Sequence, residues 1–131
     1  MPALDKEALH AAPLMTVQLY GLKAVELNLK TGKLIGKDEG GRYEWTQTKE
    51  DVEVRVLQGI PTGPTARKRI QVKYGGGVEL NVLVDGASVL RLPKLVGRVK
   101  PDECSWLLDG EALVVTMEKV EAQAWVSLTL G

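Results

Sequence analysis

The chain has 131 residues, the size of one domain that can bury a core without disulfide or metal staples. Its 17 Lys and Arg balance 17 Asp and Glu, which argues against a partner held by bulk charge, such as a nucleic-acid backbone or an anionic membrane. A single Cys excludes an internal disulfide, and no apolar run reaches the roughly 18–20 residues of a membrane span. The opening "MPALDKEALH" carries acidic residues and no apolar segment, so it does not read as a secretory signal, and a cytoplasmic location, or the nucleus by diffusion, is expected.

Residues 1–41 are read as an N-terminal extension. "LDKEALHAA" suits a short helix, with Leu4, Ala8 and Ala12 recurring at i+4 and Pro13 ending it. "MTVQLY" and "VELNL" alternate like strands, and "KTGK" offers a hairpin turn into "LIG". Leu19, Leu22, Val25 and Leu29 also make a helical stripe, and short apolar patterns of this kind do not separate the two. Strand character between Thr16 and Ile35 is the expectation. "GKDEGG", from Gly36 to Gly41, reads as a flexible link.

Residues 42–131 read as a second unit with a period of two. "YEWTQT" sets Tyr43, Trp45 and Gln47 on one face, and "EDVEVRVL" sets Val52, Val54 and Val56 against Glu53 and Arg55. "RKRIQVKY" puts Ile70, Val72 and Tyr74 opposite Arg69, Gln71 and Lys73, and "VELNVLV" follows after Gly75-Gly76-Gly77. Glycine tolerates positive φ, so the triple Gly reads as a hairpin connection. "ASVLRL", "KLVGRVK", "CSWLL", "ALVVTMEKV" and "AWVSLTL" come next, separated by turn signals such as Asp85-Gly86 and Asp109-Gly110. Short alternating strands at this spacing predict an all-β antiparallel sandwich.

Catalytic chemistry is not signalled. The only His, His10, lies far along the chain from Cys104, and one Cys with one His cannot furnish a structural zinc site. "DEGG" and "VDG" lack the carboxylate series of a calcium loop. The triple Gly is followed by a strand pattern where a P-loop requires Lys-Ser or Lys-Thr and a helix. No catalytic residue, metal ligand or cofactor is therefore expected. The basic run Arg67, Lys68, Arg69 reads either as a solvated strand face or as a patch for an acidic partner surface.

From Tyr43 to Trp125 the chain resembles the CS domain of the NudC (nuclear movement, nuclear distribution) family. The carrying residues are "YEWTQTKEDVEV" at Tyr43 to Val54, "KLVGRVKPDECSWLL" at Lys94 to Leu108, "LVVTMEK" at Leu113 to Lys119, and Trp125. The chain departs from the family in having Ala124-Trp125-Val126 in place of a Trp-Trp pair, and Met117 where Leu is common. The resemblance implies an antiparallel β-sandwich of about seven strands, with the HSP20-like co-chaperone fold. It implies a non-catalytic co-chaperone or client-binding module. Its partners would be WD-repeat propeller clients and a heat-shock chaperone of the ninety-kilodalton class, with a link to dynein-dependent nuclear migration. A passive interaction scaffold is the alternative. No sustained heptads support a coiled coil, so a monomer is favoured.

On this reading Leu95, Cys104, Trp106 and Trp125 mark the fold, while Trp45, Gln47, Arg67, Lys68, Arg69, Lys100, Asp102, Glu103 and Lys119 are candidate partner contacts. Trp45 and Trp106 are also candidates for the core, because each alternates inward with apolar neighbours. Gln47 is expected to bond backbone near the sandwich edge, since a buried amide needs partners. Lys100, Asp102 and Glu103 form either a solvated turn or a polar contact patch. Lys119 is read as facing outward. Cys104, Trp106 and Leu108 share a strand face, so the thiol is expected to pack as a small, inert side chain.

Overall fold

The computed structural model describes residues 34–130 together with the backbone of two earlier strands, and side chains from 35 to 130. Among the described residues ten strands run in chain order: β1 (Leu14–Val17), β2 (Val25–Asn28), β3 (Leu34–Lys37), β4 (Tyr43–Gln47), β5 (Asp51–Val56), β6 (Ile70–Lys73), β7 (Leu80–Val84), β8 (Ala87–Leu92), β9 (Ser105–Asp109) and β10 (Ala112–Glu118). A single helical turn, α1 (Ala66–Arg69), precedes β6. One sheet has the order β1-β2-β3-β4-β5-β10-β9 and the other β6-β7-β8, with every pairing antiparallel.

The alternation written in the sequence becomes the interior. Val52, Val54 and Val56 from β5 and Leu113, Val115 and Met117 from β10 are buried against Leu80 and Val82 from β7 and Leu90 and Leu92 from β8. Each such side chain contributes roughly 1.5–3 kcal/mol on leaving water. One register row runs across the inner face of the large sheet as Gly36, Trp45, Val54, Val115, Trp106. It sets the two tryptophans at opposite sides of the core, each half-buried against it. Gly36 is required there, because a Cβ would collide with the Trp45 indole.

The triple Gly closes the β6–β7 hairpin as expected, with Gly76 and Gly77 at φ 63° and 80°. The strand character expected before Ile35 is present in β1, β2 and β3, and Val25 of the alternative helical stripe is in a strand. The helix expected over "LDKEALHAA" lies outside the described residues.

Four predicted segments differ. "GKDEGG" is not a flexible link: Gly36 and Lys37 belong to β3, and the rest is a tight turn into β4. Asp38 accepts from the Arg42 backbone N–H (3.1 Å) and from its guanidinium (2.8 and 3.0 Å), which holds its carboxyl below the usual carboxylate range. "RKR" is helical rather than extended. "KLVGRVK" and "AWVSLTL" are irregular strips that touch at the isolated pair Leu95–Thr129 and by bonds from Val96 N–H to Leu128 O and from Leu130 N–H to Lys94 O. Pro93 precedes the first strip and Gly97 interrupts it, and its other bonds are shared between the triple-Gly turn (Leu95 N–H to Val78 O, Val99 N–H to Gly77 O) and the end of β10 (Lys100 N–H to Glu118 O, Val120 N–H to Arg98 O). The strips cap one end of the core with Leu95, Val99, Trp125 and Leu128, all buried.

Candidate protein-interaction surface

The sequence-selected polar residues separate into two groups. The first lies inside. Lys119 stands two residues beyond Met117 and continues the inward face of β10, so the outward orientation expected for it is corrected: it is 3% exposed. Period-two counting from Val115 and Met117 already carried that signal. Its ammonium donates to Gln47 Oε1 (2.8 Å), to Thr48 O (2.7 Å) and to Gln123 O (2.6 Å), and it lies 5.4 Å from the centre of the Trp125 ring. All three protons thus have acceptors, as a buried cation requires. Burial pushes the Lys119 pKa down, partly offset by the Asp51 carboxylate.

Gln47 completes this clamp. Its amide donates to Trp125 O (2.7 Å), and its carbonyl oxygen accepts from Trp125 N–H (2.8 Å). The backbone bonding expected of Gln47 is therefore present, 78 residues away along the chain. The indole of Trp125 lies against Gly97, where a Cβ would be 2.7 Å from its ring nitrogen. Gln47, Lys119 and Trp125 hold the C-terminal strip on the sandwich, and Trp45 contributes a further half-buried ring on the same face of β4.

The second group lies along the open side of the sandwich, where β9 ends the large sheet and β6 ends the small one. The Arg67 guanidinium sits 4.8 Å over the Trp106 ring, so α1 covers the inner face of β9. Ser105 and Leu107 point out while Trp106 and Leu108 point in, as the alternation predicts. The half-buried Cys104 thiol donates to Lys100 O at 3.1 Å, and burial pushes its pKa up, away from the thiolate that reactive chemistry needs. Tyr74 packs nearby with a buried hydroxyl that has no hydrogen-bond partner, and burial, with the Cys104 charge adding, pushes it up to about 12.

The remaining candidates are exposed. Asp102 and Glu103 sit on a single 3-10 turn (Pro101–Glu103) before β9, and Lys100 pairs with Glu118 at 3.5 Å. The basic run is divided: Arg67 goes to Trp106, Lys68 is exposed, and Arg69 forms an ion pair with Asp85 at 2.7 Å. Two features of this side escaped sequence reasoning. Leu107 is 52% exposed beside Val114 on the outer face, and Arg55 bonds Asp109 at 2.9 Å across that face. An apolar residue at an outward position was the available signal for Leu107. Among the described residues, no group of three His, Cys, Asp or Glu is placed to hold a metal, and no helix is long and apolar enough to cross a membrane.

Two antiparallel sheets around one aliphatic core, capped by a strip that carries a buried Trp, define a small β-sandwich domain. The family model of the CS domain matches residues 41–119, and the chain belongs to that family. Its likeness extends to the nuclear migration protein nudC of Drosophila melanogaster, 32% identical over an alignment of 101 residues, which covers 73% of this chain and 30% of that protein. The chain thus spans under a third of that relative's length. Among solved structures, the nuclear movement protein from E. cuniculi GB-M1 superposes with a TM-score of 0.54 at 19% identity, covering 68% of this chain and 99% of that one. The CS domain of the human KIAA1068 protein does so with a TM-score of 0.54 at 22% identity, over 69% and 73%. These two likenesses establish the fold.

Proposed function

We propose that this protein is a non-catalytic, NudC-like co-chaperone module that holds protein clients, WD-repeat propellers among them, in the cytoplasm. On this reading it works beside a heat-shock chaperone of the ninety-kilodalton class, and its clients include proteins of dynein-dependent nuclear migration. The observation that carries the reading is membership of the CS family across residues 41–119, with likeness to a relative named for nuclear migration. The distribution of polar groups agrees with it. The polar groups of Gln47 and Lys119 are bonded to each other and to the domain's own backbone, which leaves the rim at Arg67, Trp106, Asp102 and Glu103 to face other molecules.

The test is a light-scattering assay on a thermally unfolding propeller protein without ATP. Suppression of scattering at several-fold excess of this protein is expected, and scattering that proceeds unchanged would overturn the reading. Capture of a folded partner with no protection of an unfolding one would instead support a passive scaffold.

A further inference from the structure

The large sheet ends on β9, and nothing among the described residues pairs with the outer side of that strand. Natural edge strands are usually blunted by Lys, Pro, a bulge or an inward charge. β9, "SWLLD", has none of these between Ser105 and Leu108, and its pairing with β10 is regular across five residues. It presents an unpaired backbone with Leu107 exposed on one face and the rim of Trp106 on the other.

Charge around the strand selects what can lie there. Asp102 and Glu103 stand just before it, and Asp109 and Glu111 stand at its far end. Of these only Asp109 has an ion-pair partner among the described residues, Arg55. The far end opens onto a depression of about 360 Å³ lined by Arg55, Leu57, Asp109, Glu111 and Ala112. A second copy of this strand fits poorly. Antiparallel pairing about Leu107 would set the Asp109–Glu111 end of each copy beside the Asp102–Glu103 end of the other, like charge against like. Between the ends, the guanidinium over Trp106 repels a cation in the middle of any added strand.

We propose that β9 is a docking edge for an extended segment of another protein, added as an antiparallel strand, with an apolar alternating centre and a Lys or Arg at each end. Backbone hydrogen bonds to β9 supply the attachment, Leu107 and Trp106 contact the centre, and the two carboxylate clusters fix the register. The proposal rests on the interaction-module reading and names the chemistry of its partner.

The probe is a short peptide with an alternating Val-Thr centre and Lys at both ends, titrated into the full chain while backbone amide shifts and hydrogen exchange are followed. Slowed exchange confined to Ser105–Asp109 is expected. A peptide with Glu in place of Lys should bind about tenfold more weakly at low ionic strength, because both carboxylate clusters then repel it. Leu107→Lys should abolish binding with the unfolding midpoint unchanged, since it installs on an exposed position the device that blunts natural edges. Glu103→Lys with Glu111→Lys should reverse the preference between the peptides. Equal or tighter binding of the Glu peptide overturns the proposal, as does a response centred on β6. Protection of β9 that grows with protein concentration alone would also overturn it, in favour of a second copy. The titration uses no client, so its failure leaves the aggregation assay to judge the co-chaperone reading separately.

Discussion

Among the described residues, two places set a cation over a tryptophan. Lys119 lies 5.4 Å from the Trp125 ring centre and Arg67 lies 4.8 Å from that of Trp106. The first pair is enclosed, with Trp125 at 4% and Lys119 at 3% exposure, and the cation is bonded to three oxygens. The second pair is open: Arg67 is exposed and Trp106 half-buried. The same chemistry therefore serves two ends. Inside, the cation cannot leave without stranding its acceptors, so the pair fastens the C-terminal strip. On the rim, the guanidinium keeps its water and its partner ring remains reachable.

The contrast can be broken most sharply by removing each cation. Lys119→Met leaves the Thr48 and Gln123 carbonyls without this donor and Gln47 Oε1 with Trp125 N–H alone, and should cost about 3 kcal/mol. Arg67→Met removes only an exposed ring contact and should cost under about 1 kcal/mol. Urea unfolding of both variants measures the difference, and equal midpoints would remove the distinction.

A smaller effect is expected from the glycine beneath the enclosed ring. Gly97→Ala places a methyl 2.7 Å from the Trp125 indole nitrogen and should destabilise by about 1–3 kcal/mol through overpacking. Ser105→Ala, on the exposed face of β9, should stay within about 0.5 kcal/mol. Thermal unfolding of the pair locates the rigid end of the molecule.

A further modest effect, dependent on pH, concerns Tyr74 on the open side. Its native pKa is raised from 10.0 to about 12, so above pH 10 the unfolded chain loses this proton first. Stability contributed by Tyr74 is present below pH 10 and is lost as pH rises toward 12. Lys119 acts with the opposite sign: its native pKa is lowered from 10.5, so its contribution improves as pH climbs toward that value. Tyr74→Phe should remove its share of the alkaline loss. By deleting a buried hydroxyl with no partner, it should also raise stability near neutral pH by up to about 1 kcal/mol. Unfolding midpoints from pH 7 to 11 test both expectations.

Much of the fold was legible because a strand declares itself locally. Val52, Val54 and Val56 alternate with charge, and all three are buried; Asp85-Gly86 and Asp109-Gly110 mark turns that close hairpins. The strips holding Leu95 and Trp125 were less legible. Their residues alternate like strands, but their hydrogen bonds go to several different segments, which no local pattern records. The candidate contacts mixed two populations for a related reason. Gln47 and Lys119 are 72 residues apart, and only the folded chain shows that they share one buried clamp. Cys104, which looks reactive beside Asp102 and Glu103, is a half-buried thiol bonded to a carbonyl.

Taken alone, the sequence determined the β class and the inward faces of the strands, because side-chain period and turn chemistry are properties of neighbouring residues, while its ordered motifs from Tyr43 to Trp125 carried the family resemblance. Tertiary structure decided which polar residues are interior and which reach solvent, and which strand ends the large sheet with one side unpaired among the described residues. Burial and strand order depend on residues far apart in the chain, so Lys119 and Arg67, alike in charge, received opposite surroundings.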